Sequence, residues 1–234
     1  MRSKEELLIF LHIQKTAGSS FKTFLKNQFN KDQIWFDRSS RVKEIKKTRD
    51  LQCIGGHFAY GVHENFNLPY TYVTMLREPV DRVLSYYYFV KEKKEGVDRR
   101  ISKMDIKEFM DEYQAKTCNY QTRRIAGDKV DLELAKKHLL EEFSFVGITE
   151  RFKESIFLMQ KEYNFPSLSY ETRNITKKRA STQELPEEII SYIKQQNQLD
   201  IELYKFAKEL FERKLKTLTK KEKEQLLAFL NEQK

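Results

Sequence analysis

The stretch "LLIFLHIQKTAGSSFKTFL", residues 7–25, narrows most sharply what this chain can fold into. The near-continuous apolar run 7–13 reads as a strand buried on both faces, as in the middle of a parallel sheet. A polar loop, Lys15-Thr16-Ala17-Gly18-Ser19-Ser20, follows. Phe21, Phe24, Leu25 and Phe29 then recur at helical spacing, with Ser19 or Ser20 placed to cap the helix. Such a strand–loop–helix junction turns backbone N–H groups and the positive end of a helix dipole toward its loop, so it favours phosphate. Lys15 adds a mobile positive charge, Thr16, Ser19 and Ser20 add hydroxyl donors, and Gly18 lets the backbone approach closely.

The loop is not ordered for Mg-ATP. A Walker motif, GxxxxGK[ST], ends on its lysine and follows it at once with the metal-binding hydroxyl. Here the lysine comes first, and the glycine and the serine pair come after it. The second strand also carries no acidic residue to act as a Walker B partner.

The opening architecture recurs downstream. Residues 70–76 form a β-branched and aromatic strand, Arg77 ends it, and Pro79 stands where a first-turn proline would. Val80, Val83, Leu84 and Tyr87 give the helical stripe that follows, and Ser85 lies on it eight residues after Arg77. The tyrosines at 86–88 read as core packing on that helix. "DLQCIGGHF" supplies a short strand and "FSFVGIT" a further buried one, while 31–49 reads as irregular chain or a short helix. "DIKEFMDEYQ", 131–142, 150–163 and the amphipathic run from 185 onward read as helices, and "CNYQTRRIAGD" as a polar stretch between two of them. Strands alternating with helices predict an α/β fold, a P-loop-like three-layer domain with a central, largely parallel sheet flanked by helices. No Pro/Gly/Ser linker divides the chain. The expectation is one domain over 1–234, with a core over about 7–214 and a basic, exposed helical tail over 215–234. In a doubly wound sheet ligands gather beyond the carboxyl ends of the strands, which puts Arg77 and Ser85 on one rim with Lys15.

Composition excludes more than it selects. No run approaches a membrane span of ~20 apolar residues, and the N-terminus lacks a signal-peptide pattern, so a cytoplasmic location is expected. Cys53 and Cys118 make no disulfide framework or zinc pattern, and the four histidines show no metal-ligand spacing, so no metal is expected. The net charge of +9 attracts polyanions in general, and no DNA- or RNA-binding signature accompanies it; nucleic acid is not an expected partner. His57, which directly follows Gly55-Gly56, is the first candidate for a general base near neutral pH, with His63 as the alternative. His12 reads as buried in the first strand, and His138 as solvent-facing on a charged helix. Trp35 reads equally as a sugar-stacking surface and as core.

"FLHIQKTAGSSF" and "TMLREPVDRVLSYY" resemble the two nucleotide-binding signatures of sulfotransferases that use 3′-phosphoadenosine 5′-phosphosulfate (PAPS). "CNYQTRRIAGD", "FVGITERFKESIFLMQKEYNF" and "NQLDIELYKFAKELFERK" extend the resemblance, in order, to the heparan sulfate 6-O-sulfotransferase-like group of family-2 sulfotransferases. The resemblance implies that Lys15 contacts the 5′-phosphate and bridging oxygen, with Thr16, Ala17, Gly18, Ser19 and Ser20 forming the cradle. It implies that Arg77 and Ser85 bind the 3′-phosphate and that His57 is the base. The implied activity is sulfuryl transfer from PAPS to a carbohydrate hydroxyl by in-line displacement without a metal. Acceptors implied are a glycosaminoglycan-like chain or a bacterial exopolysaccharide or glycolipid, anionic glycans among them. The alternatives are a nucleotide kinase or NTPase with a degenerate loop, and a non-catalytic polyanion-binding module.

Overall fold

The computed structural model describes residues 6–36, 50–92, 99–171 and 184–231. Its centre is a five-stranded sheet of β1 (Leu7–Leu11), β2 (Ile34–Phe36), β3 (Cys53–Gly56), β4 (Tyr70–Leu76) and β5 (Phe143–Ile148). The spatial order is β2-β3-β1-β4-β5, with every neighbouring pair parallel. All five residues of β1 are buried, as expected of a central strand with both faces covered. Each such fully buried Leu, Ile or Phe stabilises the fold by about 1.5–3 kcal/mol. The α/β expectation holds.

Helices cover the sheet. They are α1 (Gly18–Lys26), α2 (Pro79–Lys91), α3 (Ile106–Glu112), α4 (Gln114–Thr117), α5 (Tyr120–Ile125), α6 (Leu132–Glu141), α7 (Phe152–Tyr163), α8 (Glu187–Gln196), α9 (Gln198–Thr217) and α10 (Lys220–Asn231). The main core joins β1 and β4 to Phe21, Phe24, Phe145, Phe157 and Phe211. A second cluster packs Val83, Leu84 and Tyr87 of α2 against Phe109, Met110 and Ile193, so Tyr87 is core as expected. Among the described residues no helix is long and apolar enough to cross a membrane.

Register places the site. Leu11 of β1 pairs with Gly56 of β3 on one side and with Thr74 of β4 on the other. The connections leaving β1 and β4 run to opposite edges, toward β2 and β5. Their carboxyl ends therefore open the crevice where ligands gather in such sheets.

Three sequence expectations are corrected. Residues 31–36 are a 3₁₀ turn, Lys31–Gln33, leading into edge strand β2; residues 37–49 lie outside the described residues. Three residues are too few for periodicity to reveal, and pairing with β3 makes the strand, with the Phe36 ring lying where a side chain on Gly55 would be. The polar stretch at 118–128 contains helix α5, whose second and third N–H groups are held by a distant carboxylate, Asp200. The tail is not simply exposed: α10 lies on α7 and buries Leu226 and Phe229.

Candidate active site

The loop after β1 has unusual backbone. Lys15 and Ala17 both take positive φ, at 68° and 58°, where an L-residue bears strain that a functional loop can retain. Thr16 between them does not, the kind of alternation by which anion-binding nests turn successive N–H groups toward one side. The helix cap expected at Ser19 or Ser20 is instead Ala17, which makes no side-chain cap bond. Its left-handed turn starts the helix at Gly18, and both serines fall inside the first turn. No described residue accepts from the N–H of Ala17 or Gly18, so the dipole end of α1 faces the loop with donors in hand. The Thr16 hydroxyl turns inward, donating to the carbonyl of Ile13 (2.9 Å), and the residue is fully buried. Thr16 therefore shapes the turn with its side chain.

Lys15 and Arg77 come together from the two loops. Arg77 Nη1 donates to the carbonyl oxygen of Lys15 (3.1 Å), while its Nε donates to Asp81 (2.9 Å). The Lys15 ammonium lies 4.1 Å from the centre of the Phe89 ring. Phe89 is one helical turn beyond Ser85 on α2, hence on the same face. Ser85 is buried at 3% exposure, six residues into the helix and so about 9 Å from its start. Lys15, Arg77 and the Ser85 face are thus gathered around the crevice.

His57 follows β3 on the same rim. Its Nδ1 lies 2.8 Å from the carbonyl oxygen of His12. A carbonyl only accepts, so the proton resides on Nδ1 and Nε2 keeps its lone pair. Burial pushes the His57 pKa below its ordinary value, and nearby Lys116, Arg124 and Lys22 push the same way against the His12 hydrogen bond. The imidazole is therefore neutral at pH 7. It lines a cleft of about 360 Å³ together with Phe58, Asn65, Lys116, Arg124 and Asp128.

His63 occupies a different place. It stacks on Tyr70 (4.0 Å) and bonds the Tyr72 hydroxyl through Nδ1 (2.9 Å). Tyr70 pairs with Leu7, at the amino ends of their strands, so the sheet separates His63 from Lys15. His138 is not solvent-facing as expected; it stacks on Tyr60 (3.7 Å) and its Nδ1 bonds the Ile125 carbonyl (2.8 Å). His12 packs as a structural ring, against Phe10 and, at 4.3 Å, His57. Trp35 stacks on Phe58, itself a wall of the cleft.

Several residues whose roles the sequence left open hold this arrangement. Gln121 spans the backbone of Arg77, accepting from its N–H (3.0 Å) and donating to its carbonyl (2.9 Å). Glu150 accepts from the N–H of Glu78 at the start of α2 (2.9 Å). Arg124 donates to the His57 carbonyl and pairs with Asp128. The motif around 119–124 was visible in the sequence, but its partners lie far along the chain.

The strand–loop–helix junction after β1, a second cation at the neighbouring strand end and the His57 imidazole thus lie along one rim of the sheet. The model of the sulfotransferase family matches residues 1–207, and the chain belongs to that family. Human heparan-sulfate 6-O-sulfotransferase 2 is 27% identical over 93% of this chain and 46% of its own length. The chicken enzyme of the same name is 26% identical over 93% of this chain and 70% of its own. Mouse heparan-sulfate 6-O-sulfotransferase 3 is 25% identical over 89% and 58%. The chain spans about half the length of several of these relatives. Among solved structures, mouse sulfotransferase SULT7A1 complexed with PAP aligns over 98% of this chain and 85% of its own, with a TM-score of 0.46 and 10% identity.

Proposed function

We propose that the chain transfers a sulfuryl group from PAPS to a hydroxyl of a carbohydrate acceptor, with His57 as general base. The observation that carries this reading is the His57 ring, pinned through Nδ1 by the His12 carbonyl so that Nε2 is its basic nitrogen, on the rim where Arg77 meets the Lys15 carbonyl. PAPS supplies the sulfuryl group and a phosphate leaving oxygen. The N–H groups of Ala17 and Gly18 and the dipole of α1 hold the 5′-phosphosulfate, with Ser19 and Ser20 in that first turn. Lys15 leaves the Phe89 ring to neutralise the negative charge that develops on the leaving oxygen. Arg77 and Ser85 hold the 3′-phosphate. His57 Nε2 accepts the acceptor hydroxyl's proton as the oxygen bonds sulfur and the S–O bond to the phosphate breaks. The relatives named as heparan-sulfate 6-O-sulfotransferases support a glycan acceptor, and Lys116 and Arg124 beside His57 suit an anionic one.

Calorimetry with adenosine 3′,5′-diphosphate (PAP), 5′-AMP and ATP tests the donor, and transfer of labelled sulfate from PAPS to glycosaminoglycan and exopolysaccharide acceptors tests the reaction. Binding that requires the 3′-phosphate, followed by sulfated glycan, is the expected result. Preference for Mg-ATP, or no nucleotide binding, overturns the proposal.

A further inference from the structure

Arg77 stands at a weak point of the backbone. It is the residue between the end of β4 at Leu76 and Glu78, the cap residue of α2, beyond the last ladder pairing, Leu76 with Ile148. Among the described residues no strand neighbour fixes it. A side-chain amide does so instead: Gln121 pairs with both the N–H and the carbonyl of Arg77, as a neighbouring strand would.

Gln121 is itself held from the far end of the chain. It is 1% exposed, and its N–H donates to Asp200 Oδ2 (3.0 Å). The other Asp200 oxygen takes the Thr122 N–H (2.7 Å) and hydroxyl (2.8 Å). A fully buried carboxylate thus caps α5 at its second and third N–H groups, where the helix dipole favours it. Asn119 returns the cap, its Oδ1 accepting from Leu199 and Asp200 in the first turn of α9. Its positive φ of 46° is one that asparagine tolerates better than most residues. Two helix starts some eighty positions apart lock each other, and the product of that lock is the Gln121 amide on Arg77.

We propose that Gln121 is a positioning residue for Arg77, anchored by Asp200, and that it sets the selectivity of the site for nucleotides carrying a 3′-phosphate. This rests on the reading of Arg77 as the 3′-phosphate ligand. The guanidinium is already aimed by two partners, the Lys15 carbonyl and Asp81. Those partners fix its head only if its backbone is fixed, and Gln121 does that without touching the ligand. Removing the amide therefore weakens recognition of the 3′-phosphate while sparing the rest of the nucleotide.

The test is calorimetric binding of PAP and of 5′-AMP to the full chain and to Gln121→Ala, Gln121→Glu, Arg77→Ala and the Arg77→Ala/Gln121→Ala double variant. Gln121→Ala is expected to weaken PAP about tenfold, equivalent to about 1.4 kcal/mol, and to change 5′-AMP by less than about twofold. Gln121→Glu is nearly isosteric and keeps the acceptor for the Arg77 N–H while losing the donor to its carbonyl. It falls between the two, and it carries the test if the alanine variant does not fold. In the Arg77→Ala background the Gln121 effect vanishes. Equal weakening of both nucleotides by Gln121→Ala overturns the proposal, because that is the signature of general disruption. If Arg77→Ala lowers the PAP to 5′-AMP preference and Gln121→Ala does not, the proposal fails while the Arg77 assignment stands. If Arg77→Ala leaves that preference intact, the assignment itself fails, and the proposal with it.

Discussion

Gly18→Ala probes how tightly the loop after β1 is built against His12, the residue whose carbonyl holds the candidate base. A Cβ on Gly18 would stand 2.0 Å from both Cδ2 and Nε2 of His12 and 2.9 Å from its Cε1, so a whole ring edge is in the way. The ring has little room to retreat. It stacks on Phe10, sits 4.3 Å from His57, and its backbone N–H is tied to the Gly56 carbonyl (2.9 Å). Gly18 does not have positive φ, so alanine there gains at most about 1 kcal/mol of helix propensity. Overpacking costs about 1–3 kcal/mol. The expected balance is a loss of about 1–2 kcal/mol, which in a chain of this size lowers Tm by roughly 5 °C. Because the His12 carbonyl holds the His57 Nδ1, the proposed sulfuryl transfer is expected to fall as well. Thermal melts followed by circular dichroism, on Gly18→Ala, His12→Ala and the double variant, measure both the loss and its cause. Removing the ring removes the obstacle, so the two changes couple by more than about 1 kcal/mol. A stabilised Gly18→Ala, or strict additivity in the cycle, refutes the reasoning.

His57→Ala is expected to lower transfer by at least about 10²-fold with PAP affinity nearly unchanged, while His63→Ala retains transfer; the reverse pattern in labelled-PAPS assays moves the base to His63. Burial holds both His12 and His57 below the ordinary value of 6.5. The unfolded chain therefore binds more protons than the folded one just below that pH, and stability should fall as pH drops from 7 through 6.5 and below, with transfer falling at the lower, folded-state pKa. Urea melts across pH 5–8 that show flat or rising stability on acidification contradict this. Phe229→Ala should cost about 3 kcal/mol, since the ring is 8% exposed and belongs to the main core; an unchanged urea midpoint would mean that α10 contributes nothing to the fold.

Much of the framework was legible before any coordinates. The run 7–13 announced a buried strand, of which the sheet keeps Leu7–Leu11, because a strand covered on both faces has few polar residues to spare. The order of Lys15, Gly18 and the serine pair separated this loop from a Walker motif because each chemistry needs its donor at a set place. Pro79 marked the start of α2 through its fixed φ and absent N–H. Short or long-range features stayed hidden. β2 has only three residues and exists by pairing with β3; α5 is too short for periodicity and depends on a carboxylate some eighty residues away. The tail looked exposed because its charged residues outnumber the two that pack, Leu226 and Phe229.

By itself, then, the sequence determined the local grammar: where strands and helices fall, which loop favours an anion, and which histidines were worth considering. Those signals reside in neighbours a few residues apart, where spacing and propensity act directly. Only the tertiary structure gave His57 and His63 different surroundings, placing one beside the His12 carbonyl and the other among Tyr70 and Tyr72. It alone brought Gln121 to Arg77 and Asp200 to Gln121. A hydrogen bond between residues forty or eighty positions apart leaves no periodic trace in the chain, because its geometry exists only once the sheet and helices have packed.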